Sequence, residues 1–165
     1  MNIKKQIILD CDPGQDDAVA LALAMAAKDE IDLLGVTTVA GNVPLNLTQR
    51  NARIMCDICH RTDIKVYAGA EKPMAQPLVT AEHVHGKSGL DGIVIYEPTT
   101  PLEEKHAVDF IIETCLAADN NSIFLVPTGP LTNIGLAIER APARSEEHTS
   151  ELQSPTNIVC RLLLE

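Results

Sequence analysis

Apolar residues in this chain come in two alternating patterns. Short continuous runs, Ile7-Ile8-Leu9, residues 32–39 (DLLGVTTV) and residues 122–126 (SIFLV), have the length and β-branched content of buried strands. Between them lie longer segments whose apolar positions recur at helical spacing. Residues 17–28, 45–59 and 103–118 are of this kind, the last with Val108, Ile111, Ile112 and Cys115 on one face, and another helix starts over 131–138. A short strand is expected over 65–68. Residues 69–102 interrupt the alternation as a loop-rich segment containing Pro73, Pro77, Gly86, Gly89, Gly92, Pro98 and Pro101. Strands alternating with helices predict an α/β fold, an open and mainly parallel sheet with helices on both faces. Ligands of such sheets bind at the carboxyl ends of the strands. That rule brings together residues 10–17, 40–43 and 127–130.

Composition narrows the possible partners. A chain of 165 residues is long enough for one domain with a real core. Its net charge of −10 argues against nucleic-acid backbone binding, which needs clustered Lys and Arg. Tyr67, Tyr96, Phe110 and Phe124 are the aromatic residues, and no stacking platform for bases is visible among them. Cysteines stand at 11, 56, 59, 115 and 160. Cys56-x-x-Cys59 falls in a helical pattern with no second pair, so small buried hydrophobes are a better reading than a zinc or redox site. The apolar run over 18–27 is too short to span a bilayer, and no secretory leader is evident. No membrane partner and a reducing cytoplasmic setting are therefore expected.

Four aspartates fall within eight residues, as Asp10-Cys11-Asp12-Pro13-Gly14-Gln15-Asp16-Asp17, directly after the first strand. One Asp at such a turn is explained as a helix cap. Capping does not explain Asp10 and Asp12, which precede Pro13. So many like charges at a strand's carboxyl end point to a hard divalent cation with oxygen ligands, Ca²⁺ or Mg²⁺.

Residues 144–165 (RSEEHTSELQSPTNIVCRLLLE) resemble the translation of two blocks of a sequencing-library adapter in a single frame. The expected native part is residues 1–143, with 144–165 a non-native tail.

Four segments in order resemble the inosine–uridine preferring nucleoside hydrolases. They are residues 8–18 (ILDCDPGQDDA), 36–42 (VTTVAGN), 85–92 (HGKSGLDG) and 126–133 (VPTGPLTN). The resemblance covers about residues 5–142 and implies the Rossmann-like core of that family. It implies cleavage of the N-glycosidic bond of a ribonucleoside to ribose and free base, with Ca²⁺ as cofactor and a homo-oligomeric parent. Asp12 resembles the general base that takes a proton from a calcium-bound water, and is also a metal ligand. Asp17 resembles the bidentate calcium ligand, and Thr128 contributes its backbone carbonyl. Asp16 is implied to hydrogen-bond the ribose hydroxyls, Asn42 to lie near the water and the ribose, and Asp10 to organise the site from behind. His85, on a Gly-flanked loop, is implied to assist departure of the base. The family carries a further calcium-binding Asp, an adjacent His, and Asn and Glu residues for the ribose 5′-hydroxyl in a second half that has no counterpart here. The expectation is an N-terminal part of a nucleoside hydrolase domain that is inactive by itself.

Two other readings compete. A non-catalytic fragment that binds Ca²⁺ or a nucleoside suits a chain lacking those later residues. A haloacid-dehalogenase-like phosphatase also places D-x-D after its first strand. That scheme wants Thr or Val where Gly14 stands, and it has no place for Asp16 and Asp17.

Overall fold

The computed structural model describes residues 4–119 and 122–142. The expected tail, residues 144–165, and Cys160 within it lie outside the described residues. The elements run β1 (Lys5–Cys11), α1 (Gln15–Ala26), β2 (Ile31–Thr38), α2 (Leu45–Ile58), β3 (Val66–Ala68), α3 (Glu82–His85), β4 (Leu102–Glu103), α4 (Ala107–Ala117), β5 (Ile123–Pro127) and α5 (Thr132–Arg140). The five strands form one sheet in the order β4-β3-β2-β1-β5, and every pairing is parallel. Among the described residues, no helix is long and apolar enough to cross a membrane.

The helices cover both faces, and the two-residue period of β1 decides which side chain goes where. Ile7, Leu9 and Cys11 pack into one cluster with Leu21 and Met25 of α1 and Ala52, Met55 and Cys56 of α2. Ile8 turns the other way, into a cluster with Val108 and Ile111 of α4 and Ala137 of α5. Asp10 lies on the Ile8 side. Between Ile7 and Ile8 the register against β2 jumps from Leu33 to Gly35, so Leu34 is an extra residue on β2. Gly35 then faces the ring of Phe110, and a Cβ there would lie 2.9 Å from it. The missing side chain leaves room for Phe110 to stack on Tyr67, with centroids 3.9 Å apart.

This strand order creates a crevice. From β1 the chain moves outward to β2, β3 and β4, then returns to place β5 on the other side of β1. The loops leaving β1 and β5 turn toward helices on opposite faces, so the sheet opens between them at its carboxyl end.

The expected helix over 103–118 starts later. Leu102 and Glu103 pair with Val66 and Tyr67 as β4. The helix begins at Ala107, where the His106 ring accepts a hydrogen bond from the Val108 N–H at 3.2 Å. Glu103, Glu104 and Lys105 are adequate helix formers, so local propensity did not decide this boundary. The open edge of β3 did.

The segment expected as loop is anchored at several points and contains α3. Arg53 and Asp57, one turn apart on α2, hold its return. Arg53 meets Glu97 at 3.1 Å and the Thr100 carbonyl at 3.3 Å. Asp57 accepts from the backbone N–H and the hydroxyl of both Thr99 and Thr100, between 2.6 and 3.0 Å. Cys56 is buried and Cys59 half-buried on the same helix, both as thiols, and burial pushes the Cys56 thiol up to about 12. They behave as the small hydrophobes the sequence suggested.

Candidate active site

Three loops meet at the crevice. The turn after β1 supplies Asp12, Gly14, Asp16 and Asp17; the turn after β2 supplies Gly41 and Asn42; the turn after β5 supplies Thr128 and Gly129. Asp12 is buried and lies in a slot between two glycines. A Cβ on Gly41 would stand 2.1 Å from its Oδ2, and one on Gly129 would stand 2.5 Å from its Oδ1. Two side chains are therefore absent where a carboxylate must fit. Asn42 fixes that carboxylate: its N–H donates to Asp12 Oδ2 at 2.7 Å and its Nδ2 to the Asp12 carbonyl at 2.9 Å.

Asp17 opens α1. Its Oδ2 accepts from the Gly14 N–H at 3.3 Å, a helix-capping bond, and its Oδ1 accepts from the Thr128 hydroxyl at 2.5 Å. Asn42 Nδ2 also approaches Asp17 Oδ2 at 3.5 Å, bridging the two carboxylates. Asp16 is exposed at the same helix end. Asp10 stands behind, fully buried. Its Oδ1 accepts from Thr37 at 2.6 Å and from Asn133 at 2.8 Å, while its Oδ2 has no partner. Its carbonyl accepts the Thr128 N–H at 2.8 Å, which joins the β1 and β5 turns.

His85, at the end of α3, reaches the same turn from the long 69–101 segment. Its Nδ1 lies 2.5 Å from Gln15 Oε1, and a Cβ on Gly14 would lie 2.5 Å from that nitrogen. The structure thus brings together all the residues singled out from sequence: Asp10, Asp12, Asp16, Asp17, Asn42, His85 and Thr128.

The electrostatics of the pocket are unbalanced. Among the described residues, no lysine or arginine pairs with Asp10, Asp12 or Asp17. Burial raises the Asp12 carboxyl to about 7; the Asn42 N–H opposes the rise and the Asp17 charge adds to it. Burial also raises Asp17, against the hydrogen bonds from Thr128 and Gly14. Asp10 is raised to about 6 by burial, against the bonds from Asn133 and Thr37. Neighbouring carboxylates held out of water without a lysine or arginine beside them suit a hard cation. Among the described residues, no three His, Cys, Asp or Glu side chains converge as a complete ligand set.

Over residues 7–151 the sequence matches the family described as inosine-uridine preferring nucleoside hydrolase. The chain belongs to that family. It is 46% identical over 140 residues to the inosine-uridine preferring nucleoside hydrolase of Crithidia fasciculata, covering 84% of this chain and 44% of that protein. It is 46% identical over 142 residues to the pyrimidine-specific ribonucleoside hydrolase RihB of Escherichia coli, covering 85% and 44%. The solved purine-preferring ribonucleoside hydrolase of Gardnerella vaginalis superposes with a TM-score of 0.75 at 33% identity, over 84% of this chain and 45% of that one. The chain thus spans about 44% of the length of these curated relatives. Membership displaces the phosphatase reading, and the nucleoside hydrolase fold is the α/β arrangement expected from the sequence.

Three residues of the site went unassigned in the sequence. Thr37 and Asn133 hold Asp10. Asn51, in the middle of α2, donates to the carbonyls of Pro13 at 3.1 Å and Ser88 at 2.8 Å, tying the aspartate turn to the loop after His85. A signal was available for Asn51. Asn is a poor helix former, and placed inside an apolar helix pattern it points to a side-chain amide with buried work to do.

Proposed function

We propose that this pocket belongs to an enzyme that hydrolyses the N-glycosidic bond of a ribonucleoside, giving ribose and free base. The observation that carries the reading is Asp12, a buried carboxylate raised to about 7 and seated between Gly41 and Gly129 in a nucleoside hydrolase family chain. A buried carboxylate held in one orientation suits a general base. It takes a proton from the attacking water as oxygen bonds to the anomeric carbon and the carbon–nitrogen bond breaks. Asn42 holds Asp12 in line through two hydrogen bonds. Exposed Asp16 meets the ribose hydroxyls, and the surrounding negative charge stabilises positive charge developing on the sugar. His85 stands where it can deliver a proton to the departing base. Asp10 organises the floor of the pocket.

The cofactor of this reading is Ca²⁺, which Asp12, Asp17 and the Thr128 carbonyl would hold. Bound there, it supplies Lewis acidity toward the attacking water and offsets the aspartate charge. The Thr128 hydroxyl, which donates to Asp17 at 2.5 Å, orients that ligand. The proposed partner is a ribonucleoside, the assembly a homo-oligomer and the setting cytoplasmic. The thiols of Cys56 and Cys59 agree with a reducing compartment.

The test is a graft. Residues 5–142 replace the matching segment of the Crithidia relative, and ribose release from inosine and uridine is followed. Turnover is expected, with Asp12→Asn lowering it by roughly 10²- to 10⁴-fold. A folded graft that releases no ribose sinks the proposal. The 165-residue chain alone is expected to bind Ca²⁺ without releasing product. Ribose release by the purified chain overturns that part.

A further inference from the structure

Asn133 touches neither Asp12 nor Asp17, yet it ties together the strand ends that carry the pocket. It lies in the first turn of α5 and is fully buried. Its Nδ2 donates to Asp10 Oδ1 at 2.8 Å and to the Thr38 carbonyl at 3.0 Å, and its Oδ1 accepts from the Ala70 N–H at 2.8 Å. One amide therefore joins the end of β1, the end of β2 and the exit from β3. Gly69 leaves space for it: a Cβ there would stand 2.1 Å from Asn133 Oδ1. Asp10 Oδ2 has no partner, so the Asp10 side chain is oriented by Asn133 and Thr37 alone. The main-chain carbonyl of Asp10 in turn accepts the Thr128 N–H, and the Thr128 hydroxyl donates to Asp17 Oδ1.

We infer that Asn133 is a positioning residue: acting through Asp10, it sets where the Thr128 carbonyl and Asp17 stand, and so sets the affinity of the pocket for a hard divalent cation. The inference rests on the cation reading of the site. It goes further by assigning that affinity to a residue that holds no cation itself. Partners behind metal ligands typically govern affinity because they fix ligand direction.

Calcium binding to the full 165-residue chain is measured by calorimetry for wild type, Asn133→Leu, Thr37→Val and Val108→Ala. Leu keeps the approximate volume of Asn and removes its hydrogen bonds. Val108, on α4, is buried with Ile8 and Ala137 and makes none of the hydrogen bonds of Asn133, and its truncation reports what general loss of stability does to binding. Asn133→Leu is expected to weaken Ca²⁺ binding roughly 10- to 100-fold. Thr37→Val is expected to weaken it less, in the same direction. Val108→Ala is expected to lower Tm and leave affinity unchanged. Wild-type affinity in a folded Asn133→Leu chain overturns the inference alone, as does an equal loss in Val108→Ala. If Asn133→Leu does not fold, Thr37→Val decides, and unchanged affinity there overturns the inference. Absence of binding by wild type overturns the cation reading and this inference with it.

Discussion

At the scale of single residues the pocket is an arrangement of carboxylates and of the side chains left out around them. Gly41 and Gly129 have no conformational need for glycine, since neither has a positive φ. They are glycine because Asp12 occupies the space where a Cβ would be. Gly129→Ala is expected to displace Asp12 and cost about 1–3 kcal/mol of stability, as overpacking does. Urea denaturation measures the cost, and wild-type stability in the variant contradicts the close fit. The raised carboxyls give a sign for pH. Asp10 and Asp12 hold protons in the folded chain, to about 6 and about 7, that the unfolded chain releases near 4. Between those values the folded state binds more protons, so stability falls as pH rises. A chelator-treated chain is therefore expected to melt several degrees higher at pH 5 than at pH 7.5. Calorimetric scans showing the opposite slope reject the burial of unpaired carboxylates.

At the scale of elements, α2 serves the site from a distance. Its Asn51 holds the aspartate turn to the loop after His85, and further along it Arg53 and Asp57 hold the return of the long segment. The His85 loop is thus pinned to the same helix at both of its approaches. Asp57→Ala is expected to free Thr99 and Thr100, whose four hydrogen bonds it accepts. Hydrogen exchange should then rise over residues 97–101 and spread toward 85–91 while the β1 and β2 amides stay protected. Faster exchange confined to α2 contradicts this account. The late start of α4 belongs here too. A residue run with adequate helical propensity became a strand because β3 offered unpaired backbone groups.

At the scale of the whole molecule, β5 stands at one end of the sheet among the described strands. β5 pairs with β1 alone among the described strands, and Phe124 on it is 43% exposed. A parallel strand of Ile, Phe, Leu and Val is composed for burial on both faces. Ca²⁺ is expected to act at the same scale. Binding only the folded chain, it should raise Tm at pH 7.5 in a concentration-dependent way.

Much of this architecture is local in origin and therefore readable along the chain. Continuous apolar runs, helical periodicity and the punctuation of Pro and Gly determine four of the five strands and the four longer helices. The cluster from Asp10 to Asp17 marks the site because so many adjacent carboxylates have no purely local explanation. The strand-end rule brings the segments of Asn42 and Thr128 to that turn, while His85 and the role of each residue are legible only through resemblance. Tertiary structure alone decided the rest. It chose β4 over a longer α4, because pairing at an open edge outweighed propensity. It made slots from Gly41 and Gly129, a stacking gap from Gly35, and hubs from Asn51 and Asn133. A buried amide or an absent Cβ has meaning only against the atoms that surround it, and those atoms come from strands and turns far apart in the chain.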